Sequence, residues 1–188
     1  MTDFQILLAS ASPRRRELLA SAGFRFHVIP ANIDESPLPG ELPRDHALRL
    51  ACEKAAWTST HHPGGIVVAA DTIVVLEDRI LAKPADPADA RRMLRDLSGR
   101  AHTVMTGVCV RTGGREDAWV EETLVEFRKL TDADIDAYVA TGEPMDKAGA
   151  YGIQGGAAHM VKRIEGSYTN VVGLPLAQVV EHLRRMGA

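Results

Sequence analysis

Apolar positions fall into short unbroken runs and longer helical stripes. Ile6, Leu7, Leu8 and Ala9 form one short run, which predicts a buried strand. Ser12 then suits a helix N-cap, Pro13 the first helical position and Gly23 the stop, with Leu18, Leu19 and Ala22 between. Residues 24–29 alternate well enough for a second strand, and 30–43 form a polar, proline-rich loop that reads as mobile. Ala47, Leu48, Ala51, Cys52, Ala55 and Ala56 share one face of a helix. The runs 66–70 and 73–76, broken only by Asp71 and Thr72, predict a central strand buried on both faces.

A turn at Glu77-Asp78-Arg79 returns the chain through Ile80 and Leu81 to Lys83-Pro84. Asp86 opens a helix with Met93, Leu94 and Leu97 inward and Gly99 as its stop. Stretches 102–111 and 118–127 are strands joined at Gly113-Gly114 as an antiparallel hairpin. Thr131 to Asp134 resembles a capping box for a helix stopping near Gly142. Residues 142–156 are a glycine-rich loop, 160–164 a last short strand, and 174–186 an amphipathic helix. Hairpins and strand–helix units both occur, so the fold class is α/β with a mixed sheet.

The 188 residues suffice for one full-size domain or two small lobes around a cleft. A net charge of -3 argues against a general nucleic-acid binder, and local basic clusters in such a chain suit a small anionic ligand. Cys52 and Cys109 are far apart in sequence and match no metal-ligand spacing, so both read as buried small apolar residues. No disulfide is required, no run is apolar enough to span a membrane, and a cytoplasmic location is expected. His61-His62 belongs to no metal framework and precedes a Pro-Gly-Gly loop.

Three places carry candidate chemistry. Arg14, Arg15 and Arg16 occupy the first turn of a helix, where the dipole favours acids. With Ser10 and the helix N–H groups they suit a phosphate chain; a solvated arginine face is the plainer alternative. Asp71 interrupts a buried strand, an expensive place for a carboxylate unless it is paired or metal-bound. It is a candidate metal ligand or proton acceptor; a strand-end aspartate bonded to nearby backbone is the structural alternative. Lys54, Lys83 and Glu35 gain interest only beside it, Glu35 as a second metal carboxylate. Finally, Gly149, Gly152 and Gly155 recur around Tyr151 and Gln154, a spacing that lets backbone approach a flat ligand while Gln154 offers a donor and an acceptor.

Taken together, the ordered motifs resemble the Maf (septum-formation inhibitor) family of nucleoside triphosphate pyrophosphatases over nearly the whole chain. The likeness rests on residues 8–15, Glu53-Lys54-Ala55, Ala70-Asp71-Thr72, Lys83-Pro84, residues 146–155 and Val172-Gly173-Leu174-Pro175. It implies a single domain over 1–188, with a mixed, strongly twisted sheet flanked by helices and two lobes around a deep cleft. It implies a homodimer and cleavage of a nucleotide between the α and β phosphates with a divalent cation, Mg2+ or Mn2+. By that likeness Asp71, Lys83 and Lys54 are catalytic, Glu35 and Asp71 hold the metal, and Ser10, Arg14, Arg15, Thr72 and Gln154 bind substrate. Arg14, Thr72 and Gln154 match the branch acting on dTTP and UTP; the sister branch acting on 7-methyl-GTP carries Trp, Gln and Glu there. A nucleoside triphosphate is thus the expected partner, without nucleic acid or membrane. The rival reading is a non-catalytic nucleotide-binding regulator of cell division.

Overall fold

A computed structural model describes residues 5–188. The elements are β1 (Ile6–Leu8), α1 (Pro13–Ser21), β2 (Phe26–Val28), α2 (Pro43–His61), β3 (Ile66–Leu76), β4 (Arg79–Leu81) and α3 (Pro87–Leu97). There follow β5 (Ala101–Thr112), β6 (Arg115–Phe127), α4 (Asp132–Ala140), β7 (Val161–Glu165), α5 (Tyr168–Val172) and α6 (Leu176–Arg185). Three single 3-10 turns, Glu143–Asp146, Ala148–Ala150 and Ala158–Met160, lie between α4 and β7. The strands make one mixed sheet in the order β2-β1-β3-β5-β6-β7, with β4 paired to β3. β1 runs parallel to β2 and β3, while β4 is antiparallel to β3 and β7 to β6. Among the described residues no helix is long and apolar enough to cross a membrane.

The chain divides into two compact units. One takes the chain up to Thr72, then Thr106–Glu121 and Gly173–Ala188; the other takes Ile73–Met105 and Glu122–Val172. In the first unit, strand alternation sends successive side chains to opposite faces of the sheet. Ile6, Leu8, Ile66, Val68 and Ala70 pack with Leu19 of α1 and with Val179 and Leu183 of α6. Leu7, Ala9, Val67, Ala69 and Cys109 pack instead with Ala51 and Ala55 of α2. That helix presents small residues because it lies almost on the strand backbone: a Cβ on Gly107 would come within 2.2 Å of the Ala47 carbonyl oxygen.

The second unit has its own core. Ala90, Met93, Leu94 and Leu97 of α3 and Ile135, Tyr138 and Val139 of α4 cover Val74, Leu76, Val104, Val125 and Phe127. The segment 166–170, to which the sequence assigned no role, is structural. Asn170 is fully buried, and its Nδ2 donates to the Val104 carbonyl at 3.1 Å and to Thr123 Oγ1 at 3.0 Å. His102, Phe127 and Tyr151 stack edge to face with centroids 4.8–5.4 Å apart. His102 Nε2 and the Tyr151 hydroxyl are 2.7 Å apart, while His102 Nδ1 is buried with no partner among the described residues.

Burial pushes the His102 imidazole down to about 4 from 6.5. The ring is therefore neutral when folded, and between those two values only the unfolded chain takes up the proton. Stability is present above pH 6.5 and falls as the pH drops toward 4, by about 3 kcal/mol from this group. Urea unfolding from neutral pH down to about 4 is expected to give a smaller acid loss in His102→Gln than in the parent. An identical acid loss in both chains would remove His102 from this role.

Candidate functional site

The site is built at the C-terminal end of β1. Beyond Leu8 the chain passes Ser10 and enters α1, whose N-cap Ser12 accepts a hydrogen bond from the Arg15 amide at 3.4 Å, with Pro13 at the first position. Parallel β3 lies alongside in register, Leu8 opposite Val68, so Ala70, Asp71 and Thr72 extend past the end of β1 toward that helix start.

Arg15 joins these segments. Its Nε donates to the Gly173 carbonyl at 2.7 Å. Its NH1 donates to Ser10 Oγ at 3.2 Å and to the Ala70 carbonyl at 2.8 Å, and its NH2 to Thr72 Oγ1 at 2.9 Å. Four of the five guanidinium donors thus point into the protein. Burial and the neighbouring Arg14 push this guanidinium below its ordinary value, while the Asp71 and Glu35 charges oppose that shift. These bonds make Arg15 a clamp that holds Asp71 by the residues on either side. Thr72 is engaged likewise: its hydroxyl bonds Thr106 Oγ1 at 2.9 Å and reaches the Gly173 carbonyl at 3.4 Å. Gly173 itself has a φ of 129°, which a side chain would strain. Of the three arginines, Arg16 is exposed, and half-buried Arg14 makes no hydrogen bond or ion pair among the described residues.

Asp71 Oδ1 lies 2.7 Å from Lys54 Nζ, which lies 2.7 Å from Glu35 Oε1 as well. Lys54 is 7% exposed, in contrast to the ordinary fate of a helical lysine, which snorkels to solvent. The loop carrying Glu35, expected to be mobile, is tied to the same helix as Lys54. Asp34 accepts from the Ser36 amide at 2.9 Å, Arg49 NH2 donates to the Ser36 carbonyl at 3.1 Å, and Arg49 also grips Glu41 through Nε and NH2. The Arg49 hydrogen bonds hold the Glu41 carboxyl far below the usual carboxylate range. This brace escaped the sequence reading; Arg49 and Glu53 at i,i+4 were its visible trace.

Six of the nine expected residues therefore fall into two bonded groups in the first unit, one of Ser10, Arg15 and Thr72 and one of Glu35, Lys54 and Asp71, joined through the backbone of residues 70–72, with Arg14 on the same helix turn as Arg15. Lys83 and Gln154 belong to the second unit, both exposed, Lys83 just beyond β4 and Gln154 in the glycine-rich segment. The glycine period there answers to the protein's own side chains. A Cβ on Gly149 would lie 2.9 Å from Val74 Cγ1, one on Gly152 2.7 Å from Lys147 Cε, and one on Gly155 1.9 Å from Glu143 Oε1. Glu143 Oε2 accepts from the Gly156 amide at 2.9 Å, and the Tyr138 hydroxyl accepts from the Gly152 amide at 3.2 Å. The sequence also treated Cys52 and Cys109 as unrelated; their sulfur atoms and a Glu116 oxygen lie within 4.8 Å of one another.

A strand carboxylate flanked by the contacts of Arg15, paired with a lysine and set beside a helix start with an arginine unpaired among the described residues, brings cations and backbone donors around one acid. The model for the Maf-like protein family matches residues 5–186, and the chain belongs to that family. It is 59% identical over 190 residues to a dTTP/UTP pyrophosphatase of Geobacter sulfurreducens, covering 100% of both chains. It is 58% identical to a dTTP/UTP pyrophosphatase of Geobacter metallireducens, covering 98% of this chain and 97% of that one. A HAM1 protein of Coxiella burnetii shares the fold at 16% identity and a TM-score of 0.51, with 97% of this chain and 99% of that chain covered.

Arg15→Lys is expected to lower stability by about 3 kcal/mol, since a lysine cannot reproduce the planar fork that reaches four acceptors. Arg16→Lys, one position on and exposed, is expected to change it by less than about 0.5 kcal/mol. Denaturant midpoints compare the two, and equally small effects would overturn the clamp.

Proposed function

We propose that this chain hydrolyses dTTP and UTP to the nucleoside monophosphate and pyrophosphate. The observation that carries the reading is Asp71, held on both flanks by Arg15 and paired at 2.7 Å with Lys54. A protein that only binds nucleotides needs cations and backbone donors, not a carboxylate fixed among them. The names carried by relatives at 59% and 58% identity over nearly their full lengths supply the substrate and the bond.

In this reading Asp71 accepts the proton of the water that attacks the α phosphorus. Arg14 and the amides at the start of α1 take the phosphate chain, and Lys54, already oriented by two carboxylates, offsets its charge. Glu35 and Asp71 each place one carboxylate oxygen on Lys54 Nζ, and two carboxylates brought together beside that ammonium are a donor set that fits a hard divalent ion taking its other ligands from water and phosphate. Bound there, Mg2+ or Mn2+ would neutralise charge on the phosphates. Lys83 and Gln154 are assigned by family resemblance to the phosphate chain and the base. A neutral amide matches the donor–acceptor edge of uracil or thymine, whereas a carboxylate would face its carbonyl oxygens without a proton to offer. The homodimer and the cytoplasmic location implied by the family complete the reading, with the mass in solution as the measure of the first.

The test incubates the protein with each nucleoside triphosphate and Mg2+ and separates the products by chromatography. Monophosphate with pyrophosphate is expected from dTTP and UTP. Diphosphate with phosphate would refute the bond assignment, and absence of product would favour a binding protein. Asp71→Asn is expected to stay folded while losing about 10²–10⁴-fold in turnover, and a near-parental rate would remove Asp71 from the chemistry. Gln154→Glu is expected to lower kcat/KM for dTTP and UTP by about 10-fold or more, and unchanged selectivity would place base recognition elsewhere.

A further inference from the structure

Cys52 of α2, Cys109 of β5 and Glu116 of β6 converge within the first unit. Their ligand atoms lie within 4.8 Å of one another, the only such group of three found among the described residues. The convergence follows from packing. Gly107, two residues before Cys109 and on the same face of β5, lets α2 approach to backbone distance at Ala47. Ala51 and Ala55 continue that contact along α2, with Cys52 packed at its margin. The three groups grade outward: Cys109 is fully buried, Cys52 half-buried and Glu116 exposed.

We propose that Cys52, Cys109 and Glu116 form a binding site for a borderline-soft divalent cation of the zinc class. Two thiolates and a carboxylate make a three-ligand set of the kind zinc takes, with a fourth position left for water on the exposed side. The same set is unsuited to Mg2+, which prefers oxygen donors throughout. Charge balances locally. Two thiolates and a carboxylate exceed a divalent cation by one negative charge, and Arg111, whose NH1 is 2.8 Å from Glu116 Oε2, supplies the missing positive one. Binding replaces two S–H bonds by two metal–sulfur bonds and releases two protons; no oxidant takes part. Lys54 lies two residues along α2 from Cys52, and Thr106 three residues before Cys109 on β5. A cation here ties together the helix and strand that carry those residues.

The test titrates Co2+ into full-length protein that has been freed of metals with a chelator and kept reduced by a phosphine. A thiolate-to-cobalt charge-transfer band in the near ultraviolet is expected to saturate at one equivalent and to bleach when Zn2+, but not Mg2+, is added. Cys52→Ser, at the half-buried position, is expected to fold and to lose the band. Glu116→Gln is expected to weaken apparent Co2+ affinity about 10-fold or more. Zn2+ is expected to raise the melting temperature of the parent and not of Cys52→Ser. Asp71→Asn is expected to keep the band, which separates this result from the fate of the proposed hydrolysis. No band under reductant, a band undiminished in Cys52→Ser, or a band lost only in Asp71→Asn would overturn the site.

Discussion

The guanidinium of Arg15 is the constraint around which the site is arranged. A carboxylate at the middle of a buried strand is costly unless its surroundings are fixed and polar. Arg15 supplies such surroundings without consuming the carboxylate. It bonds the carbonyl before Asp71 and the hydroxyl after it, while Lys54 takes Asp71 Oδ1. The same side chain reaches Ser10 beyond β1 and Gly173 before α6. Segments far apart in sequence thereby meet at one planar group, and their mutual geometry follows from its fork.

Charge around this clamp is arranged unevenly. Arg15 and Lys54 are both answered by protein oxygens, and Glu35 and Asp71 share one ammonium. Arg14 is the exception, half-buried at a helix start with no hydrogen bond or ion pair among the described residues. A helix N-terminus already favours anions, so placing an unanswered arginine there works against folding unless something negative binds. An array of satisfied cations around an acid, with one cation beside it left without a partner among the described residues, is the charge distribution that the proposed polyphosphate substrate would complete.

Sequence periodicity predicted the secondary structure well because short-range patterning is what it records. The apolar runs on either side of Asp71-Thr72 marked β3, Ser12-Pro13 marked the start of α1, and Thr131 to Asp134 gave the capping box of α4. Motif order then led to the family. What escaped was direction and convergence. Nothing in three successive arginines tells which one turns inward, because that depends on acceptors contributed by residues 70, 72 and 173. The glycine period around Tyr151 was visible, but the atoms it accommodates, on Val74, Lys147 and Glu143, were not. The loop at Glu35 read as mobile because its composition is that of a loop; the Arg49 brace that ties it depends on a helix face presented in three dimensions.

Helix α2 shows why these unseen contacts are correlated. The part of its buried face that meets the sheet is built from Ala47, Ala51 and Ala55, and the missing side chain at Gly107 lets it sit on β5. Small residues release little free energy on burial compared with leucine or isoleucine, so the interface gives up stability for proximity. Proximity is what the polar face needs. Arg49 must reach Ser36 and Glu41, Lys54 must reach Asp71 and Glu35, and the Cys52 sulfur must come near that of Cys109. Each of these side chains has a fixed reach, and a bulkier stripe would lift all of them from their partners at once. The alanines thus read as helix propensity in the sequence, while in the structure they set the distance at which this helix delivers its chemistry.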